Sequence, residues 1–278
     1  MVHERIELKS RFDFLGNNGK NPVLDIYLPY NMKEMNRQNQ KRPCLLICPG
    51  GGYGFCSERE AEPIALHFLP EGFNVFVLWY SVAPNRFPTQ LCEVAAVMEL
   101  IYENTDNWNC DTNKIAIMGF SAGGHLAAHY STMFDCSEVR ETFKSSKCPN
   151  ASVLCYPVIT ADFACTHQGS IINLLGHKPE NQEETDYFSC NKQVKESTPP
   201  AFIWHTAEDG AVPVVNSLLY ANALADKNIP FELHIYPHGG HGLSTSDKHT
   251  VDDVTDVVEY NSVWIDNLKR WFNLIFKS

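Results

Sequence analysis

Short apolar, β-rich runs recur along the chain, and helical spacing fills the stretches between the later ones. Val23 to Pro29, Cys44 to Cys48, Phe73 to Ser81, Lys114 to Met118, Ala151 to Tyr156, Ala201 to Thr206 and Phe231 to Tyr236 read as strands. Glu60 to Leu69, Gln90 to Asn104, Ala122 to Met133 and Val214 to Asp226 read as helices. A last helix, about Asp253 to Phe276, sets Val257, Trp264, Leu268, Trp271 and Ile275 along one face, as core packing requires. Apolar strands alternating with helices demand a mostly parallel sheet covered on both faces. The expected class is therefore α/β, a single domain over residues 1–278 with about eight strands. No helix separates the opening strands near Ile6 and Val23 to Leu28, which predicts an antiparallel edge there. Thr160 to Pro200 is polar and aperiodic, and reads as a cap over one end of the sheet.

Charge and cysteine usage exclude several classes. The chain has 278 residues, with 33 acidic against 22 basic side chains and a net charge of −11. A phosphate-tracking nucleic-acid binder needs a basic face that this balance does not supply. The longest apolar runs, such as Cys44 to Cys48, fall far short of a membrane span. Met1 to Arg5 is polar, without a signal core, so a cytoplasmic protein is expected. The ten cysteines are scattered without a Cys-x-x-Cys pair, which favours reduced thiols over disulfides or zinc.

The most informative segment is Gly119-Phe120-Ser121-Ala122-Gly123, a G-x-S-x-G pattern between an apolar strand and an Ala-rich helical run. A strand-to-helix reversal with flanking glycines exposes the Ser121 hydroxyl in a strained turn. A Cβ at Gly119 or Gly123 would collide with neighbouring backbone. The helix starting at Ala122 presents free N–H groups to a developing oxyanion. A second apolar strand ends in Cys48-Pro49-Gly50-Gly51-Gly52-Tyr53-Gly54. Its glycines let backbone N–H groups turn inward, so Gly51 and Gly52 with Ala122 form the expected oxyanion hole. Without a following Gly-Lys-Ser/Thr, this is no phosphate loop.

A serine hydroxyl needs a base, and in this architecture the chain order is serine, acid, histidine. Among the 11 histidines, His241 stands in a Gly-bracketed loop after the last strand, with His238 as its local competitor. Glu208 and Asp209 both follow the preceding strand; Asp209 is the expected acid, Glu208 the alternative. The acid holds the imidazole tautomer and stabilises its charge. His125 and His129, at i and i+4, lack an evident third ligand and read as helix packing. The expected catalytic set is Ser121, Asp209 and His241, with Tyr53 and Phe55 shaping the substrate pocket and no metal or cofactor.

These motifs, together with Trp79-Tyr80-Ser81-Val82-Ala83-Pro84, resemble the α/β-hydrolase superfamily of esterases and lipases. More narrowly they resemble bacterial carbohydrate acetyl esterases, often labelled xylanase-like or sugar hydrolases. The likeness runs from residue 48 to 243. Pro49 departs from the wider family, which often has His there. The resemblance implies an α/β-hydrolase fold and a small acyl group, most simply acetyl, leaving from a sugar hydroxyl. Two alternatives share the fold: an amide-cleaving hydrolase, such as an arylformamidase or small peptidase, and a non-catalytic ligand-binding protein. The expected partner is a small acylated sugar, with neither nucleic acid nor membrane. The acidic balance and the aromatic last helix leave room for a homodimer.

Overall fold

The computed structural model describes residues 1–12, 21–143, 147–252 and 255–276. Eight strands form one sheet: β1 (Val2–Glu7), β2 (Val23–Leu28), β3 (Arg42–Cys48), β4 (Asn74–Trp79), β5 (Cys110–Phe120), β6 (Ala151–Cys155), β7 (Ala201–Thr206) and β8 (Phe231–Tyr236). Their spatial order is β1-β2-β4-β3-β5-β6-β7-β8. The first two pairings, β1 with β2 and β2 with β4, are antiparallel, and the remaining five are parallel. The helices α1 (Glu62–Phe68), α2 (Thr89–Glu103), α3 (Ala122–Met133), α4 (Ser137–Thr142) and α7 (Val215–Asp226) supply the connections.

The two-residue period of the strands divides the interior into two cores. Leu46, Ile117, Leu154 and Ile203 point to one face, where α2 and α3 pack. Leu45, Ile47, Met118, Val153, Phe202 and Trp204 point to the other, against α1 and the C-terminal helices.

Thr160 to Pro200 contains two short helices that its polar composition hides, α5 (Gln168–Leu175) and α6 (Gln182–Tyr187). Each starts at a side-chain cap: His167 accepts from the Ser170 N–H, and Asn181 accepts from the Glu184 N–H. Gly176, at φ 89°, ends α5 in the left-handed conformation.

The C-terminal helix is two helices, α8 (Asp256–Asn261) and α9 (Trp264–Ile275). The break has an identifiable cause, part of it distant in the chain. Asn261 is buried and donates to the His238 carbonyl at 2.9 Å, while the Ser262 hydroxyl donates to the Glu259 carbonyl at 2.6 Å. Both turn the chain away from regular helix. Trp264, Leu268 and Trp271 are buried as their spacing requires, and the Trp264 indole stacks on Trp204 at 5.0 Å. The expected start at Asp253, and the side chain of Val257, lie outside the described residues.

Strand order decides where a site can form. From β3 the chain steps outward to β4, then returns through α2 to β5 on the other side of β3. The loops leaving β3 and β5 thus diverge, opening a crevice at the carboxyl ends of the sheet. The Gly50–Gly52 loop and Ser121 both lie there.

Candidate active site

Ser121 joins β5 to α3 with φ 54° and ψ −117°, a conformation costly for a residue with a Cβ. Backbone bonds hold it from both sides. Its N–H donates to the Cys155 carbonyl at 3.0 Å, and its own carbonyl accepts from His125 and Val158. The turn is too tight for side chains at its flanks. A Cβ on Gly119 would lie 2.0 Å from the Gly123 carbonyl oxygen, and one on Gly123 2.1 Å from that of Cys48.

His241 Nε2 lies 2.8 Å from Ser121 Oγ, and its Nδ1 lies 2.6 Å from Asp209 Oδ2. A carboxylate can only accept, so Nδ1 carries the proton and Nε2 is free to accept from the serine hydroxyl. Asp209 is buried and makes four contacts. Oδ1 accepts from the Ala211 and Val212 N–H groups, both at 2.9 Å, and Oδ2 from His241 and, at 3.1 Å, from His205 Nε2. Burial alone would raise its pKa, but the bonds from His205, His241 and the backbone hold it well below the usual carboxylate range. The other acid–base candidates pair with each other. Glu208 and His238 meet at 2.9 Å on the surface, away from Ser121.

Gly51, Gly52, Ser121, Phe55 and His241 line a cavity of about 400 Å³. Gly51 and Gly52 have φ of 123° and 64°, so their amides turn in a way that side-chain-bearing residues resist. Among the described residues no acceptor takes the N–H of Gly51, Gly52 or Ala122. Ala122 is fully buried at the start of α3. Tyr53 departs from its expected place on the pocket wall. Its ring is fully buried and its hydroxyl lies 3.0 Å from His125 Nδ1. Burial depresses the His125 pKa to about 4, so the ring is neutral. Its Nε2–H donates to the Phe188 carbonyl at 2.9 Å, which leaves Nδ1 to accept from Tyr53. Tyr53 therefore ties the glycine loop to α3 and, through His125, to the Phe188 carbonyl. Tyr80 does related work, donating to the Pro49 carbonyl at 2.6 Å.

Sequence reasoning missed Glu60, His167 and Asn173. Asn173, on α5, donates to the Gly52 carbonyl at 2.8 Å, and His167 lines the cavity with a pKa lowered by burial and by His241. Glu60 is a buried carboxylate with one oxygen on each loop. Oε2 accepts from the Gly50 N–H at 2.7 Å. Oε1 accepts from the Tyr156 hydroxyl at 2.6 Å, whose oxygen accepts in turn from Ser244 N–H in the His241 loop. The Tyr156 ring meets the His241 ring edge-on at 5.1 Å. Burial raises the Glu60 pKa against the pull of these donors. In sequence Glu60 is one of three glutamates at 58, 60 and 62, and nothing in that run marks the buried one.

Among the described residues no cluster of three or more potential ligands could hold a metal, and no helix is long and apolar enough to cross a membrane.

The BD-FAE family model matches residues 24–224, well over half of the chain. The chain belongs to the BD-FAE family. This BD-FAE chain is 40% identical over 253 residues to endo-1,4-beta-xylanase B of Butyrivibrio fibrisolvens, covering 87% of the chain and 38% of that protein. It is 34% identical over 210 residues to an acetylxylan esterase of Xylanibacter ruminicola, covering 74% of the chain and 42% of that protein. The chain thus spans less than half the length of either curated relative. The solved acetyl ester-xyloside bifunctional hydrolase of Caldicellulosiruptor lactoaceticus superposes with a TM-score of 0.85 at 35% identity, covering 98% of this chain and 96% of that one. The fold is that of the α/β hydrolases, and carboxylic ester hydrolases stand among both the homologues and the structural neighbours.

Proposed function

We propose that this BD-FAE chain is a serine carboxylesterase that removes small acyl groups, acetyl above all, from sugar hydroxyls. The observation that carries the reading is the continuous relay from Asp209 through His241 to Ser121 beside the unpaired amides of the glycine loop. Ser121 Oγ attacks the ester carbonyl carbon while His241 Nε2 takes its proton. Gly51, Gly52 and Ala122 donate to the oxyanion. His241 returns the proton to the leaving sugar oxygen, and the acyl group stays on Ser121. Water then attacks the acyl-enzyme with His241 again as base, releasing the acid and free serine. The small acyl group and the sugar alcohol are supported by the acetylxylan esterase and acetyl ester-xyloside hydrolase relatives.

A substrate panel tests this directly. The expected order of kcat/KM is acetyl above decanoyl among 4-nitrophenyl esters, with acetate released from acetylated xylo-oligosaccharides. Faster decanoyl turnover would remove the short-acyl preference. Hydrolysis of formylkynurenine, with acetylated sugars untouched, would replace the ester reading with the amide one.

Glu60 holds both loops, so Glu60→Gln is expected to lower kcat by up to about a hundredfold, the scale of a small misplacement of reacting groups. Glutamine offers an acceptor to only one of the two donors. Stability carries a second signature. A carboxyl whose folded pKa is raised contributes stability at low pH that is lost as pH rises above 4.5 and through the raised value. Thermal melts should show the gap between wild type and Glu60→Gln narrowing as pH rises; a gap that widens would mean the carboxylate is the better-held form.

A further inference from the structure

A second cleft, of about 640 Å³, adjoins the first and shares Gly54 and Phe55 with it as a common wall. Gly51, Gly52, Ser121, Asp209 and His241 are not among the residues that line it. Its far side is the Trp79 to Pro84 segment leaving β4, and Arg5 and Glu58 reach its rim. Of the three aromatic residues that line the cleft, Tyr80 is buried, whereas Phe55 is 63% exposed and Trp79 is part-exposed. The Trp79 ring is fixed in place. Its Nε1–H donates to Asp25 Oδ2 at 2.8 Å, and Arg5 clamps the same carboxylate through two bonds of 2.6 Å.

A fixed aromatic plane with charged groups at its rim suits a ligand that is apolar on one face and polar at its edge. A pyranose ring has this character, with axial C–H groups on its face and hydroxyls around it. A fatty acyl chain would leave Arg5 and Glu58 without hydrogen-bonding partners in the ligand. We propose that the second cleft is a subsite for a neighbouring pyranose ring of an acylated oligosaccharide, the ester-bearing ring lying over Ser121. The chain of rings crosses Phe55, which separates the two cavities. The proposal rests on the sugar-esterase reading above and adds to it a preference for oligomers over monomers.

Chain-length dependence tests it on the wild-type protein. The expected result is a kcat/KM for acetylated xylotriose about fivefold to tenfold above that for acetylated methyl xyloside, the scale of one aromatic contact. In Trp79→Ala that gain should disappear when each rate is divided by the variant's own rate on 4-nitrophenyl acetate. Equal wild-type rates on trimer and monomer would overturn the subsite, as would a gain that survives in Trp79→Ala. Hydrolysis of 4-nitrophenyl acetate without any acetylated sugar would overturn both the subsite and the sugar reading while leaving the esterase. Failure on every ester would remove the parent reading itself.

Discussion

Ser121→Ala is expected to lower 4-nitrophenyl acetate hydrolysis by on the order of a thousandfold or more, with the fold intact. Among the described residues the side chain makes one hydrogen bond, to His241, so its removal takes away the oxygen proposed to attack and little else. The left-handed backbone at 121 is held by the bonds to Cys155, His125 and Val158, none of which involves the hydroxyl. Alanine has a Cβ as serine does, so the strain is unchanged, and the melting temperature should move by no more than a surface substitution moves it. Circular dichroism on both proteins separates lost chemistry from lost structure. Equal rates in the two folded proteins would mean that Ser121 is not the nucleophile for this ester.

What the sequence made legible follows from what has a period or a steric signature. The strands from β2 to β8 fall within a few residues of their expected runs. The central ones, such as β6 and β7, are buried along their whole length and must be apolar there. The edge strand β8 is marked by alternation instead. The Ser121 turn is legible because glycines at 119 and 123 answer close backbone approaches of 2.0 and 2.1 Å. Elements that depend on a distant partner are not legible. Tyr53 stands beside the glycine loop, yet its direction is set by His125, 72 residues away. Glu60 is distinguished from its neighbours by the Gly50 N–H and by Tyr156, which is 96 residues away in the chain. The helices α5 and α6 are too short to establish a period, and their caps are single residues in a polar stretch. The break after Asn261 depends on the His238 carbonyl, invisible to any helical pattern.

Asp209→Asn should cost on the order of a thousandfold to ten-thousandfold in kcat, and the reason is a count of donors. Four N–H groups converge on the Asp209 carboxylate: Ala211 and Val212 on Oδ1, His241 and His205 on Oδ2. A carboxylate accepts all four, whereas an amide accepts at its oxygen alone and sets its NH₂ against the remaining donors. With its oxygen kept by the two backbone amides, the amide nitrogen faces both imidazoles. His241 can then bond to it only by moving its proton to Nε2, the tautomer that cannot take the serine proton. His205 retains the Val212 carbonyl at 3.0 Å, so the damage concentrates on His241. The adjacent carboxylate provides the control. Glu208 pairs with His238 at the surface, and Glu208→Gln should change kcat by less than about threefold, as exposed pairs contribute little. Stability separates the two residues as well. The Asp209 pKa is depressed in the folded protein, so its contribution is present above 3.8 and is lost as pH falls below that value. The melting gap between wild type and Asp209→Asn should therefore close on acidification. A large kcat loss in Glu208→Gln, with Asp209→Asn near wild type, would transfer the acid's role to the surface pair and break the relay on which the mechanism depends.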